Sequence, residues 1–327
     1  MKYSKFKIQN SKFKIQLNLL ITGGLGNLGS WLTRYFTHTD FKVYVLAKNK
    51  REILANEKFE YISCDIASIE DCKAKLSHIA FDYVIHTASV NDTFVDSYAK
   101  LALEINALGT RNILEVIDKS ALKNFIYFST FHVYGVSDGN ITEESPLLAR
   151  HDYATTHLFG EIYVKQFHIT HKLPYTIIRL TNSYGCPIDL NTSKWYLILN
   201  DLAKMAFEKQ EIVLKSNGLA SRDFIWMGTV CEVVNKIIQL NFAPNDTFNL
   251  SGENTFKMLE IASFVQTAYQ KFADKRIEIQ TNLEDKSLHD KVLSVSSAKI
   301  KTLIDFPNPV KFEEEALAIF QLLNEKV

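Results

Sequence analysis

Short apolar runs bounded by glycine or polar residues recur along the N-terminal half of the chain. They are Leu17 to Thr22, Lys42 to Leu46, Glu60 to Ser63 and Tyr83 to His86. Runs this short, mostly apolar and ending at turn residues, predict buried strands. After the first, Trp31, Leu32 and Tyr35 recur at helical spacing, and helical stretches alternate with the later strands. Strand and helix in alternation predict an α/β fold with a parallel, doubly wound sheet. An amphipathic helix is expected near Glu313 to Asn324.

The first strand runs into Thr22-Gly23-Gly24-Leu25-Gly26-Asn27-Leu28-Gly29. A Cβ would obstruct a tight turn at Gly23 and the approach of a pyrophosphate at Gly26, whereas Gly29 lets the helix pack close to the strand. The helix N-terminus then offers unpaired N–H groups and a partial positive charge to phosphates. The pattern predicts a Rossmann dinucleotide site. After the second strand, where an acid would bind the adenosine ribose, stands Ala47-Lys48-Asn49-Lys50-Arg51. That basic turn tilts the reading towards NADP(H) and leaves NAD(H) open.

Composition narrows the function classes. Lys and Arg number 37 against 37 Asp and Glu, so no basic surplus favours nucleic acid. No apolar stretch reaches the length of a membrane span. Cys64, Cys72, Cys186 and Cys231 are scattered without metal-ligand spacing, which predicts free thiols in a reducing cytoplasm and no structural metal. The N-terminus repeats itself: Ser4-Lys-Phe-Lys-Ile-Gln9 returns as Ser11-Lys-Phe-Lys-Ile-Gln16, read as a duplicated or alternative start, with an added strand as the other reading.

Further motifs bring a specific resemblance. Asp65-Ile66, His86-Thr87-Ala88-Ser89, Asn106-Ala-Leu-Gly-Thr-Arg-Asn112, Phe128-Ser-Thr-Phe-His-Val-Tyr-Gly135, Arg179-Leu-Thr-Asn-Ser-Tyr-Gly185, Ser221-Arg-Asp-Phe-Ile225 and Phe248-Asn-Leu250 follow the glycine loop in order. Together they resemble the extended short-chain dehydrogenase/reductase family, in particular its nucleotide-sugar branch. The resemblance covers residues 17 to about 265. It implies a Rossmann domain of residues 1–180 plus about 224–250. A smaller interleaved lobe for the nucleotide sugar would comprise about 181–223 plus 251–327. It also implies an NAD(P) site built from Gly23, Gly26, Asn27, Leu28, Lys48, Asp65, Ile66, Thr87, Ala88, Ser89, Asn106, Tyr153 and His157. Pairing of the Asn106 and Tyr153 helices in a homodimer or larger homo-oligomer is a further implication.

The family's reactive tyrosine matches Tyr153, but its lysine four residues on is His157 here. The i,i+4 spacing keeps both side chains on one helical face. A free tyrosine titrates near 10, and lowering it by about 3 units needs roughly 4 kcal/mol of preferential phenolate stabilisation. A lysine contributes a permanent charge to that task, whereas histidine does so only when protonated. His157 is thus read either as a working substitute or as the mark of a weakened site. By the same resemblance Thr130 is the catalytic hydroxyl, and Asn182, Arg222 and Trp195 face the substrate, Lys194 and Tyr196 lying in the same segment. Phe131 and His132 stand where 4,6-dehydratases similar to this family carry acids, which disfavours dehydration. The expected activity is oxidoreduction of a nucleotide-diphosphate sugar, of the 4-epimerase or 4-dehydrogenase/ketoreductase type. The alternative is a non-catalytic protein that senses NAD(P) or a sugar nucleotide.

Overall fold

A computed structural model describes residues 16–91, 98–136, 138–287 and 292–325. Residues 1–15, which hold all of the repeated segment but Gln16, lie outside the described residues.

The chain starts with β1 (Asn18–Thr22), α1 (Asn27–Thr37), β2 (Lys42–Ala47), β3 (Glu60–Ser63), α2 (Ile69–Leu76) and β4 (Tyr83–His86). The four strands lie where the apolar runs placed them. Next come α3 (Tyr98–Ala102), a π-helical stretch (Leu103–Gly109), α4 (Thr110–Val116) and β5 (Asn124–Thr130). After a 3₁₀ turn (Phe131–Tyr134) follow β6 (Gly139–Ile141), α5 (Asp152–His171), β7 (Tyr175–Leu180) and β8 (Asn182–Tyr184). The remainder runs α6 (Ile198–Lys209), β9 (Ile212–Val213), β10 (Ser221–Trp226), α7 (Met227–Gln239), β11 (Asp246–Leu250) and β12 (Thr255–Lys257). It closes with α8 (Met258–Ala273), β13 (Ile279–Gln280), β14 (Leu293–Val295), α9 (Ala298–Lys301) and α10 (Phe312–Asn324).

Seven strands form one sheet in the order β3-β2-β1-β4-β5-β7-β11. Every pair in it is parallel. Strand order reverses between β1 and β4, and the crevice beyond the carboxyl ends at such a point is where open α/β sheets bind ligands. The sheet is covered on both faces, so its central strand has no polar side: all seven residues of β5 are buried. Its polar members are accounted for. Asn124 Nδ2 donates to Thr176 Oγ1 at 2.9 Å, and Ser129 Oγ donates to Glu161 Oε1 at 2.6 Å. Glu161 in turn takes a bidentate pair from Arg179, at 2.9 and 2.7 Å. A buried carboxylate is tolerable only with such pairing.

One apolar cluster joins the sheet to α1 and α7, through Leu32 and Phe36 on one helix and Val230, Val234 and Ile237 on the other. Ile300, Ile304 and Phe306 belong to this cluster too, although they lie far along the chain. The opposite face packs on α2, α4 and α5 through Cys72, Leu114, Val164 and Phe167. A separate cluster unites α6, α8 and α10 beside a small sheet of order β12-β10-β8. The link between the two bodies is continuous, since α7 follows directly from β10 and then leads to β11, which pairs with β7. No helix among the described residues is long and apolar enough to cross a membrane.

Candidate active site

The loop after β1 turns at Gly23, whose φ is +65°. A Cβ at Gly23 would lie 2.7 Å from Ala88 Cα, so this glycine lets the β1 and β4 loops meet back to back. Gly29 is closed by its own loop, because a Cβ there would stand 2.1 Å from the Gly23 carbonyl oxygen. Gly26 differs. It caps α1 in extended geometry (φ −80°), and a Cβ there meets only the Gly23 carbonyl, at 3.1 Å. The helix has no side-chain cap and no acid in its first turn. Its N–H groups therefore face outward with their partial positive charge unopposed, which suits an anion.

These loops open on a cavity of about 640 Å³. Gly23, Gly26, Asn27, Leu28, Lys48, Asp65, Ile66, Thr87, Ala88, Ser89, Tyr153 and His157 all line it, as do Thr130 and Asn182. Asn106 is not among the residues that line it. Both ends of its amide are spent on the protein, Oδ1 accepting from Val90 N at 2.8 Å and Nδ2 donating to Val90 O and Thr156 Oγ1 at 3.1 and 3.0 Å. It fixes the β4 loop against α5 instead of lining the cavity. Trp195 is likewise absent from the lining. Its indole N–H donates to Leu190 O at 3.2 Å and its ring packs with the α6–α8 core, while Lys194 and Tyr196 line the cavity in its stead. Arg222 and Asn182 line an adjoining cavity of about 400 Å³, to which Tyr196 also contributes.

Both basic groups of the turn after β2 that reach the cavity are paired. Lys48 Nζ lies 2.6 Å from Asp65 Oδ2, and this ammonium holds the Asp65 carboxyl below its ordinary range. Arg51 grips Asp189 at 2.5 and 2.7 Å and donates to Leu25 O at 2.8 Å. Its guanidinium thus straps the glycine loop to the segment after β8. Proximity across 138 residues of sequence is invisible in the basic turn itself.

At the other end, Tyr153 and His157 project from the first turns of α5, their rings edge to face at 4.5 Å between centroids. The α5 N-terminus is held by His151, whose Nδ1 accepts from Ala154 N at 3.3 Å. Burial raises the Tyr153 phenol well above its ordinary value, Tyr98 and Tyr196 adding to the rise, and a hydrogen bond with Thr130 pulls the other way. His157 is 4% exposed. Burial pushes it down to about 4, against the opposing charge of Glu161, so the imidazole is neutral near pH 7. Its Nε2 is buried without a hydrogen-bond partner. His132 faces Tyr153 at 6.2 Å and is pushed down to about 4, by burial first and then by His151 and Arg222. Glu161, two turns after Tyr153, went unremarked in the sequence although its i,i+4 spacing from His157 could have flagged it.

The uncapped α1 terminus and the Gly26 clearance fit a dinucleotide. Residues 19–251 match the model of the NAD dependent epimerase/dehydratase family. The chain belongs to this family. Among its relatives, a dTDP-glucose 4,6-dehydratase of Streptomyces niveus is 24% identical over 319 residues, 91% of this chain and 90% of that one. The fold is shared with UDP-glucuronic acid 4-epimerase from Bacillus cereus in complex with NAD (TM-score 0.76, 19% identity, 95% of this chain and 99% of that one). It is shared equally with RMD from Pseudomonas aeruginosa complexed with NADPH (TM-score 0.75, 21% identity, 95% and 99%). The epimerase/dehydratase family is one of nicotinamide-dependent enzymes on the extended short-chain dehydrogenase/reductase fold.

Gly26→Ala separates binding from folding. Its backbone angles suit alanine and the nearest neighbour must yield only a few tenths of an ångström. The variant is expected to unfold within a few degrees of the native protein, yet to bind NAD(H) and NADP(H) about tenfold more weakly or worse, a loss of some 1.4 kcal/mol. Calorimetric titration beside a thermal melt checks both halves.

Proposed function

We propose that the protein oxidises or reduces a nucleotide-diphosphate sugar at a ring hydroxyl or ketone, as a 4-epimerase or 4-dehydrogenase/ketoreductase. Tyr153 moves the hydroxyl proton. The observation that carries the reading is the hydrogen-bonded Thr130–Tyr153 pair beside the neutral His157 ring, in a cavity whose far end is the open α1 terminus. A nicotinamide, when bound, supplies or accepts the hydride. Thr130, whose Oγ1 is fixed by the His132 N–H at 3.2 Å, orients the reacting oxygen towards Tyr153. Gly23, Gly26, Asn27, Leu28 and the β4 loop residues Thr87, Ala88 and Ser89 shape the dinucleotide end, with Asp65 and Ile66 at the adenine. The pairing of Lys48 and Arg51 with carboxylates offsets the pull of that turn towards NADP(H), and both cofactors stay in the proposal.

Arg222 supports a diphosphate ligand, since it is exposed at the second cavity and no ion pair holds it among the described residues. A guanidinium can meet two phosphate oxygens at once. Arg222→Ala is expected to raise KM for the sugar nucleotide roughly 10- to 100-fold with little change in kcat, the loss of about 1.5–3 kcal/mol of charge-assisted hydrogen bonding. Steady-state kinetics at saturating cofactor reads this directly.

Dehydration is the second reading, favoured by the relatives named 4,6-dehydratase. Against it stand Phe131, which has no proton to give, and His132, which is neutral near pH 7. Absorbance of the reduced nicotinamide and product mass, followed with UDP-, GDP-, CDP- and dTDP-sugars, distinguish the cases. An unchanged mass with inverted stereochemistry supports epimerisation, loss of water establishes dehydration, and silence with every sugar establishes the sensor alternative.

The proposal extends to the protein's organisation. The sheet body forms the dinucleotide domain and the α6–α8–α10 body the sugar lobe. Leu103, Leu108, Phe159 and Ile162 are exposed on the π-helical stretch and α5, an apolar face suited to homodimer pairing in the cytoplasm.

A further inference from the structure

Between β8 and α6 the chain crosses the large cavity. The crossing starts at Cys186, whose carbonyl accepts from Trp31 Nε1 of α1 at 3.1 Å and whose N–H donates to Glu315 Oε2 at 2.6 Å. Asp189 then takes Arg51 Nη2 on both its oxygens, at 2.5 and 2.7 Å, and the Asn191 carbonyl accepts from the same nitrogen at 3.2 Å. Further along, Lys194 Nζ and the Tyr196 hydroxyl both donate to the Asn91 carbonyl, each at 3.2 Å. Arg51 follows β2 and Asn91 follows β4, the two strands that flank β1. Residues 189–196 therefore bridge the loops on either side of the glycine loop, and Arg51 Nη1 ties in that loop itself through Leu25 O at 2.8 Å.

Thr192, Ser193, Lys194 and Tyr196 line the same cavity as Gly26 and Asn27 at the start of α1. A dinucleotide whose pyrophosphate lies on that helix end has the glycine loop on one side and this bridge across it. The bridge belongs to the smaller body. Leu190 and Trp195 pack on the α6–α8–α10 cluster, and Asn200 Nδ2 donates to Lys194 O at 3.0 Å. Its contacts with the loops after β2 and β4 are polar instead, and the Arg51 and Asp189 side chains are 29% and 21% exposed. Polar ties of this kind part and re-form in water without uncovering apolar surface, so they suit a closure that must open. Arg51 lines the cavity and Asp189 does not, so Asp189 reaches the cofactor only through Arg51.

We propose that residues 189–196 are a strap over the bound dinucleotide, latched by the Arg51–Asp189 pair, and that the cofactor enters and leaves when this latch opens. Asp189 is a positioning residue. Because it makes no contact with the cofactor, it sets how often the strap is open and leaves the closed, bound contacts alone. Loss of the latch favours the open strap with and without cofactor alike, so entry and exit quicken together and affinity changes little. The inference rests on the dinucleotide reading of this cavity and is independent of the sugar chemistry.

The test is stopped-flow fluorescence of NADH with the full-length protein: association on nucleotide-free protein, and release on chasing the NADH complex with excess NAD⁺. Native release is expected to be slow, with a residence on the order of minutes or longer. Asp189→Asn keeps the size of the side chain and removes its charge. It is expected to raise both rates about tenfold, the worth of a charge-assisted hydrogen bond, with Kd within about threefold and the melting temperature within a few degrees. Release in milliseconds from the native protein would overturn the proposal. So would native rates in a folded Asp189→Asn. Faster release with unchanged association would mean a plain loss of binding contacts and overturn it too, as would faster rates in a protein that melts many degrees lower. Should Asp189→Asn fail to fold, the native release rate decides alone. Absence of turnover with every sugar nucleotide, beside rates that rise together, would defeat the oxidoreductase reading and leave the strap standing.

Discussion

Tyr153→Phe is expected to lower kcat for a nucleotide sugar by about 10²- to 10⁴-fold, the range typical of a placed general acid–base group. Phenylalanine keeps the ring that packs edge to face on His157 and loses only the hydroxyl that meets Thr130. Cofactor affinity and thermal stability should therefore stay close to native values. The step is demanding in this protein because burial raises the phenol and no lysine charge lowers it again. A fully charged ligand in the cavity must supply part of the roughly 4 kcal/mol that a shift of about 3 units requires. The pH profile of kcat should accordingly rise towards alkaline pH for hydroxyl oxidation, where the phenolate is the base. Turnover of Tyr153→Phe within a few-fold of native would remove Tyr153 from the chemistry.

The second large effect is loss of stability on mild acidification. His86, His132 and His157 are buried and neutral, pushed down to about 3, about 4 and about 4 chiefly by burial. In the unfolded chain each takes up a proton near 6.5. Between about 6.5 and 4 the unfolded state therefore binds more protons at these positions, and their contribution to stability falls as pH falls. Asp223 acts in the opposite sense. Burial pushes its carboxyl up to about 6, so below that value the folded state takes the proton first and gains stability, until the unfolded carboxyl also protonates near 3.9. Glu315, which burial also raises, acts in the same sense as Asp223, so the three rings against these carboxyls leave a net loss of at most about 4 kcal/mol between pH 7 and pH 5. Urea unfolding at the two pH values measures it, and equal midpoints would contradict the buried, neutral state of the three rings.

How much of this was legible beforehand depended on whether a feature is local. The strand of Leu17 to Thr22 and the glycine loop announce themselves, because a tight turn, a close approach and a helix start are each set within a few residues. The parallel sheet is equally readable from alternation, since parallel strands require crossovers and the apolar runs show where the strands lie. The structure agrees at all four runs. The Tyr153–His157 pair belongs to the same class, as helical spacing alone puts the two on one face.

Other features escape because the atoms that decide them come from distant segments. Asn106 reads as a ligand contact, but the β4 loop folds over it and takes both ends of its amide. Trp195 and Tyr196 are neighbours in a polar stretch, and only packing against α6 and α8 decides which ring turns inward and which faces the cavity. The basic turn after β2 has the composition of a phosphate site. Its charges are instead engaged by Asp65 at the end of β3 and by Asp189 beyond β8. Tyr127 carries no motif at all, and its contact with His157 exists because β5 lies against α5 where Gly160 leaves a gap.

From the order of its residues alone, the chain declares a doubly wound nicotinamide fold and the helical register of Tyr153 and His157, because turn geometry and hydrophobic period are short-range properties. The state of the histidine in the lysine's place is a tertiary matter. Only the fold sets the burial that keeps it neutral, the Arg179 that occupies Glu161 beneath it, and the Tyr127 phenol that meets its Nδ1.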